Sequence, residues 1–489
     1  MDNKDKVNIP IIIRSQGIML LIEGVFMLLV IPVTYLRHSG LNTFAMPLSA
    51  MLTLFSGFVL YFLVRHKAKG KGIGERESII IVSISWLTLA LFGCMPYMLS
   101  DTLNNFTDAF YEALSGFTTT GASVITNLNA VNDDILFWRS LTQWMGGLVV
   151  LIYLSAILPS IGFGGMHLFA NELNGINYTK LHPRISRTVA LLWLVYMAFT
   201  LLEMLLLHWG GMDAFDSACH SLTTVSLGGF STHNDSITHF TPYCQIVIMT
   251  FMTIAGCNFA LILLSMSRGP KIMLKNQEFK TFIAYILIAG TAITLGLCFI
   301  KGDSFGQSLR EGFVSVISTM TTTGFFVANY DTWPTTLMVI LFLLMFIGAS
   351  TGSTSGGIKI LRHLIFLEDA AIELKRLVHP NAVLPVKVNG KSLSRNVTQK
   401  NNTFIFVYLT CFIVGLVIFR VLGLDFDTSM GCSIASLSNL GTGIGKVGPF
   451  GSYAYLPDAA KWTSAILMLM GRVELFTLMM PFSRSFWRN

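Results

Sequence analysis

Ser115-Gly116-Phe117-Thr118-Thr119-Thr120-Gly121 comes back, altered, as Ser318-Thr319-Met320-Thr321-Thr322-Thr323-Gly324. Each copy follows a short semi-polar segment and leads, through a polar connection, into a long apolar run. A helix over 107–118 is roughly 18 Å long, against a hydrocarbon core of about 30 Å. It is too short to cross. The pattern therefore predicts a hairpin that dips into a bilayer and returns on the side it entered.

Composition agrees with that setting. Of 489 residues, 53% are hydrophobic and only 12% charged, where soluble domains carry roughly 25% charged residues. Apolar runs of about 20 residues, long enough to span the core, recur along the whole chain, and no sizeable soluble domain is left over. Function must sit inside the membrane. The net charge of +7 collects in loops on one side, as the positive-inside rule expects of cytoplasmic loops, so its partner is the lipid bilayer surface and not nucleic acid. The seven cysteines (Cys94, Cys219, Cys244, Cys257, Cys298, Cys411, Cys432) are scattered through mostly apolar surroundings without a Cys-x-x-Cys pair. They read as small buried hydrophobes. Met1 to Arg14 is polar and mildly basic, and the first apolar run leads into a second, so no signal peptide is expected.

Residues 15–36 and 43–64 read as a first pair of spans joined by Arg37-His38-Ser39-Gly40, and the basic loop Arg65 to Lys71 places the next connection in the cytoplasm. In unit one, 78–99 runs outward, 107–118 is the short helix, Thr119 to Asn129 the return and 138–158 the inward span, followed by the Gly-rich, then basic loop 160–187. Unit two repeats this with 188–209, a short helix 213–225, the return Ser226 to Thr241 and a span 243–266; its Asp213-Ala214-Phe215 echoes Asp108-Ala109-Phe110. Unit three has 280–300, 308–320, 321–332 and 335–350, then a basic loop 359–400; unit four has 403–423, 428–438, Asn439 to Pro457 and 461–482. Every basic cluster after residue 64 then falls on one side. The expected fold is an all-α polytopic membrane protein with both termini cytoplasmic. An N-terminal helix pair (1–70) precedes four span/re-entrant helix/span units (71–187, 188–279, 280–400, 401–489) arranged with pseudo-fourfold symmetry around a central pore.

Phe110, Phe313 and Met430 each stand eleven positions before Gly121, Gly324 and Gly441. Unit two departs, because eleven past Phe215 is Ser226 and the glycines come later, as Gly228-Gly229. An insertion of two or three residues is expected there, and Gly229 is favoured because Gly229-Phe230 matches Gly324-Phe325. Non-helical backbone at membrane depth is tolerated only where it is buried in protein or lines water. Four such loops can meet on one axis, and their carbonyl oxygens can replace the hydration shell of a monovalent cation. Glycine lets the turn take φ > 0, and the hydroxyls of Thr119, Thr120, Thr322 and Thr323 add acceptors. Each short helix precedes its loop, so its carboxyl end, with roughly half a negative charge, favours a cation.

These residues carry a family resemblance. Thr118-Thr119-Thr120-Gly121-Ala122, Thr224 to Thr232, Thr321 to Phe325 and Ser438-Asn439-Leu440-Gly441-Thr442-Gly443, with Lys180-Leu181-His182-Pro183-Arg184-Ile185, resemble the pore subunit of the Trk/Ktr/HKT superfamily of cation transporters, most closely its bacterial TrkH type. The likeness covers nearly the whole chain, including the two leading spans. It implies a potassium filter built from Thr119, Thr120, Gly121, Leu227, Gly228, Gly229, Thr322, Thr323, Gly324, Asn439, Leu440 and Gly441. Relatives that prefer sodium tend to carry Ser at the first filter glycine; Gly121 implies potassium.

The stretch Gly348 to Lys359, with Gly352-Ser353-Thr354-Ser355-Gly356-Gly357 at its centre, cannot hold a stable apolar helix, since each Gly costs up to about 1 kcal/mol relative to Ala. The resemblance implies an intramembrane gating loop there. A phosphate-binding loop does not fit, because Ile358 follows Gly357 where Lys is needed. Arg472 inside the last span costs about 2.5–3.5 kcal/mol at a bilayer centre, so it is expected to face a polar interior. The resemblance puts it in the pore beside the gating loop, tuning cation flow. Gly443-x-Gly445-x-x-Gly448 matches a dinucleotide fingerprint without the strand it requires, and His220, His233 and His239, without ligand-like spacing, read as loop histidines.

The expected function is potassium uptake by channel-like conduction in a bacterial inner membrane, with no bond chemistry and no organic cofactor. The alternative is a sodium- or proton-coupled symporter with alternating access. It needs an intramembrane carboxylate at the ion site, for which Glu203 and Glu474 are the candidates. The resemblance further implies a homodimer and a TrkA-like cytosolic nucleotide-binding regulatory protein docked on the cytoplasmic loops.

Overall fold

The computed structural model describes residues 7–37, 44–65, 74–156, 182–382 and 384–487. His38 to Gly40 of the first turn, the basic loop from His66 to Lys71, and residues 157–181, including Lys180-Leu181, lie outside the described residues. Helices account for almost all of the regular structure. They are α1 (Ile9–Leu36), α2 (Ala45–Val64), α3 (Glu75–Gly93), α4 (Met95–Leu99), α5 (Phe106–Phe117), α6 (Asp133–Ala156), α7 (His182–Trp209), α8 (Ala214–Val225), α9 (Pro242–Ala255) and α10 (Phe259–Arg268). Then come α11 (Lys271–Lys275), α12 (Gln277–Gly296), α13 (Phe305–Met320), α14 (Thr335–Leu344), α15 (Ile360–Val378), α16 (Arg395–Val421), α17 (Phe426–Ser438), α18 (Asp458–Arg472), α19 (Leu475–Met479) and α20 (Arg484–Trp487).

Among the described residues six helices are long and apolar enough to cross a membrane, or eight if two bent pairs each count as a span. Their outward faces are greasy: Phe55, Leu205, Ile288 and Val417 are all more than half exposed. A soluble protein could not carry so continuous an apolar belt. The chain is a multi-pass bundle whose polar groups are gathered inside it.

The short helices α5, α8, α13 and α17 stand at the centre. Each packs against the first long helix of its own unit, and α8, α13 and α5 also pack on α6, α9 and α18 of the neighbouring units. The contacts between α18 and α5 bring the end of the chain back to its first unit. α1 and α2 lie outside this circle, held together at Gly17 and Gly57, where a Cβ on either would come within 2.9 Å of the other's carbonyl oxygen. Close backbone approach at small residues is the usual packing device where hydrophobicity cannot drive association.

Three expected inward spans are not straight helices. The run 243–266 breaks at Gly256 to Asn258 with a bend of 91° between α9 and α10, and Asn258 caps the second piece by accepting from the Leu261 amide. The run 461–482 breaks at Val473-Glu474 with a bend of 117°, Glu474 taking φ +59. The run 335–350 is helical only over Thr335–Leu344. Hydropathy could not show the first two breaks, because both pieces of each bent helix are apolar, whereas the third agrees with the interruption expected from the glycines of Gly348 to Lys359. Residues 359–400, read from sequence as a basic loop, contain α15 and a small hairpin, Lys387–Val388 with Lys391–Ser392. Its turn is Asn389-Gly390, both at positive φ, as a two-residue hairpin turn demands.

Candidate ion pathway

The four short helices end in the same backbone turn. The residue after each helix, or one further on, lies in the left-handed region: Thr119, Leu227, Thr322 and Asn439, with φ of 51, 56, 56 and 55. The amide of the next residue then bonds five positions back, Thr120 to Ser115, Gly228 to Thr223, Thr323 to Ser318 and Leu440 to Ala435, at 2.8–2.9 Å. This is the closure of a helix by a left-handed residue. None of the four is glycine, so Thr119, Leu227 and Thr322 each carry a backbone cost of about 1–2 kcal/mol, and Asn439 a smaller one. Strain repeated at four matching places marks a functional constraint. Gly121, Gly229, Gly324 and Gly441 follow, at φ 81, 79, 86 and 79.

The four turns close on one another. A Cβ on Gly121 would lie 2.2 Å from the carbonyl oxygen of Gly228, one on Gly229 1.7 Å from that of Thr323, one on Gly324 2.3 Å from that of Leu440, and one on Gly441 2.2 Å from that of Thr120. Unit one meets two, two meets three, three meets four, and four meets one. The residues form a ring, with a carbonyl at every junction and no room for a side chain.

This register identifies Gly229 as the glycine equivalent to Gly121, and it removes the insertion expected in unit two. Asn105, Asp213 and Asp425, which cap α5, α8 and α17 through their side chains, each stand sixteen residues before the ring glycine. Asp213-Ala214-Phe215 is thus not the counterpart of Asp108-Ala109-Phe110; Asp213 matches Asn105. At the exposed cap of α17, hydrogen bonds from the Thr428 hydroxyl and amide hold the Asp425 carboxyl below its ordinary range.

Side chains behind the ring fix it. Glu112, nine residues before Gly121, accepts from Ser123 Oγ (2.9 Å) and the Val124 amide (2.9 Å). His220, at the same place in unit two, has Nε2 3.0 Å from Ser231 Oγ. Arg139 joins both units: its Nε meets Glu112 at 2.8 Å, and its other nitrogens donate to Ser123 Oγ and the Ser231 carbonyl at 3.2 Å. Both members of this ion pair are buried. Gln143 donates to the Gly228 carbonyl (2.7 Å) and accepts from the Phe230 amide (3.0 Å), and Asn439 donates to Thr120 Oγ1 (3.1 Å). Glu112 and Arg139 carry a signal in the sequence, since ionisable groups within apolar helices are functional candidates by default; Gln143, which is not ionisable, carries none.

On one side the ring opens into a cavity of about 390 Å³ lined by loops of all four units. On the other lies the Gly352 to Gly357 segment. Thr354 Oγ1 donates to the Val225 carbonyl (3.2 Å), and the Gly356 amide donates to Thr322 Oγ1 (2.8 Å). A Cβ on Gly356 would sit 2.1 Å from the Ser438 carbonyl oxygen. The segment therefore presses on the ends of three of the four short helices. It also fills the breach between α9 and α10, where the Phe259 amide donates to the Gly352 carbonyl (3.2 Å). Arg472 is buried and donates to the Thr354 carbonyl (2.6 Å) and the Gly146 carbonyl (3.4 Å). Ser353 and Ser355 bond each other (2.9 Å), and Lys359 Nζ donates to Ser355 Oγ (2.9 Å). Glu474 is paired with Arg362 (2.7 Å) and lines a small cavity beneath the loop with Ser355, Lys359 and Arg472, whereas Glu203 is buried on α7 and lines neither that cavity nor the one above the ring.

Residues 46–488 match the family model described as TrkH, cation transport protein. The chain is 38% identical over 443 residues to the Trk system potassium uptake protein TrkH of Salmonella typhimurium, covering 90% of this chain and 91% of that one. It is 36% identical to the protein of the same name from Vibrio parahaemolyticus, over 98% of this chain and 99% of that one. The crystal structure of the potassium transporter TrkH from Vibrio parahaemolyticus superposes with a TM-score of 0.89 at 33% identity, covering 98% of this chain and 99% of that chain.

Proposed function

The chain belongs to the TrkH family of cation transport proteins, and from that premise we propose that it takes potassium into a bacterial cell by conduction through the ring of Thr120, Gly228, Thr323 and Leu440. The observation that carries this is the ring itself: four copies of one strained turn, each glycine packed against the next unit's carbonyl. A ring of carbonyl oxygens replaces the water of a monovalent cation at little reorganisation cost. The carboxyl ends of four helices behind it favour positive charge. The 390 Å³ cavity is the outer vestibule, and the chain's two termini lie in the cytoplasm.

Gly352 to Gly357 is the gate. It blocks the ring's inner side, held there by hydrogen bonds of Thr354 to Val225, Gly356 to Thr322 and Arg472 to Thr354 that opening must break. Arg472 holds the closed loop at the Thr354 carbonyl and adds a positive charge in the path of the cation. The 1–70 helix pair supports four pore units, 71–187, 188–279, 280–400 and 401–489. A cytosolic nucleotide-binding protein of the TrkA type acts on the gate through the cytoplasmic segments around α11 and α15, and two copies of the chain pair. A coupled symporter would need an unpaired intramembrane carboxylate on the ion path; Glu474, beneath the gate, is paired with Arg362, and Glu203 lines neither cavity.

Restored growth of a potassium-uptake-deficient bacterium, followed by flux in liposomes, is the test. Potassium-selective flux that is insensitive to a proton or sodium gradient supports conduction. Flux that requires either gradient removes it.

A further inference from the structure

We propose that His233, Asp235 and His239, on the return segment of unit two, form a site for a borderline divalent transition metal such as Zn2+ at the rim of the vestibule; the site's effect on flux rests on reading that vestibule as the mouth of the ion path. Each of the three offers a donor atom, and these atoms all lie within 4.8 Å of one another. Sequence spacing hid this, because the segment is a chain of turns. The Ser236 amide bonds the His233 carbonyl, Thr238 bonds Asp235, Phe240 bonds Ile237, and Ser236 takes φ 54. The result stacks the two imidazoles with centroids 4.3 Å apart and planes 22° apart.

A second observation points the same way. His233 Nε2 is 3.3 Å from a carboxylate oxygen of Asp216, whose other oxygen accepts from Thr232 Oγ1 at 2.7 Å. That leaves Nδ1 as the donor for a metal. An imidazole oriented by a carboxylate on its far nitrogen is the arrangement that metal-binding histidines adopt. Two imidazoles and one carboxylate, with water in the fourth place, suit tetrahedral zinc. Calcium and magnesium want six or more oxygens and do not suit it. In a bound tetrahedral set the donors stand about 3.3 Å apart. Reaching that from the present spacing needs rotation of His239 and Asp235, whose side chains are 56% and 43% exposed, with His239 leaving its stack on His233. His233 and Asp235 line the vestibule alongside Gly229, so a doubly charged ion here opposes cation entry.

The test uses the full chain, purified and reconstituted. Titration calorimetry with ZnCl2 is expected to give one saturable site per chain, and CoCl2 the visible absorption of a tetrahedral nitrogen–oxygen site. His239→Ala changes an exposed side chain and spares the fold; it should weaken binding at least about tenfold, as should His233→Ala. External ZnCl2 should slow potassium flux in the unaltered protein and not in the variants. Absence of saturable binding, or equal binding in the His233→Ala/His239→Ala double variant, overturns the proposal. Binding lost in the variants while flux ignores zinc upholds the metal site and refutes the placement of the vestibule on the ion path.

Discussion

Replacing Gly121 with Ser puts a Cβ 2.2 Å from the Gly228 carbonyl oxygen. Real Cβ contacts essentially never fall under 3.0 Å, so that oxygen or the Gly121 backbone must give by about 1 Å. A side chain at φ +81 adds about 1–2 kcal/mol. If that strain falls on the ring, it corresponds to a five- to thirtyfold change in an equilibrium. The potassium-to-sodium permeability ratio, measured in proteoliposomes, is therefore expected to fall by about one order of magnitude. Gly211→Ser supplies the control, since Gly211 has φ +92 but nothing within 4 Å of its Cβ position; it carries comparable backbone strain without the clash and should leave the ratio alone. Gly229→Ser, facing Thr323 O at 1.7 Å, should do at least as much harm as Gly121→Ser. An unchanged ratio in Gly121→Ser, or an equal loss in Gly211→Ser, refutes the reasoning.

Arg472→Ala removes the donor to the Thr354 carbonyl and a charge from the path, so unitary flux should rise; wild-type flux would return Arg472 to a structural role. Thr322→Val leaves the buried Gly356 amide without its acceptor, at a cost of about 1–3 kcal/mol to the closed loop. Flux without the regulator should increase several-fold, and no increase would uncouple loop from ring. Arg139→Met strands the Glu112 carboxylate, a loss of about 3–5 kcal/mol that should appear as a lower melting temperature. Adding Glu112→Gln should recover part of it, and failure to recover would mean that Arg139 acts through Phe230, over whose ring it sits at 4.1 Å.

The architecture was legible because its signals are periodic. Helix length against bilayer thickness separated spanning from re-entrant segments, and Thr119-Thr120-Gly121 with Thr322-Thr323-Gly324 gave the register of two turns. Unit two was misaligned because Asp-Ala-Phe recurs at different helical positions: Asp213 is a cap, while Asp108 lies inside the first turn of α5. A tripeptide match outweighed the capping rule that would have paired Asp213 with Asn105. The bends at Gly256 to Asn258 and at Glu474 escaped because apolarity does not encode direction. Their cause is tertiary, as the Ser350 amide donates to the Gly256 carbonyl at 3.0 Å and Arg362 holds Glu474. The contacts of Arg139 with Glu112, Ser123 and Ser231 span two units, and no local pattern announces them.

Conduction through the ring requires a dehydrated monovalent cation to rest among the carbonyls of Thr120, Gly228, Thr323 and Leu440. Crystals of the protein grown with thallium in place of potassium measure this directly through anomalous scattering. A peak is expected on the ring's axis, within coordination distance of those four oxygens and weakened in Gly121→Ser. Thallium found only elsewhere, with the ring's centre empty, would contradict it.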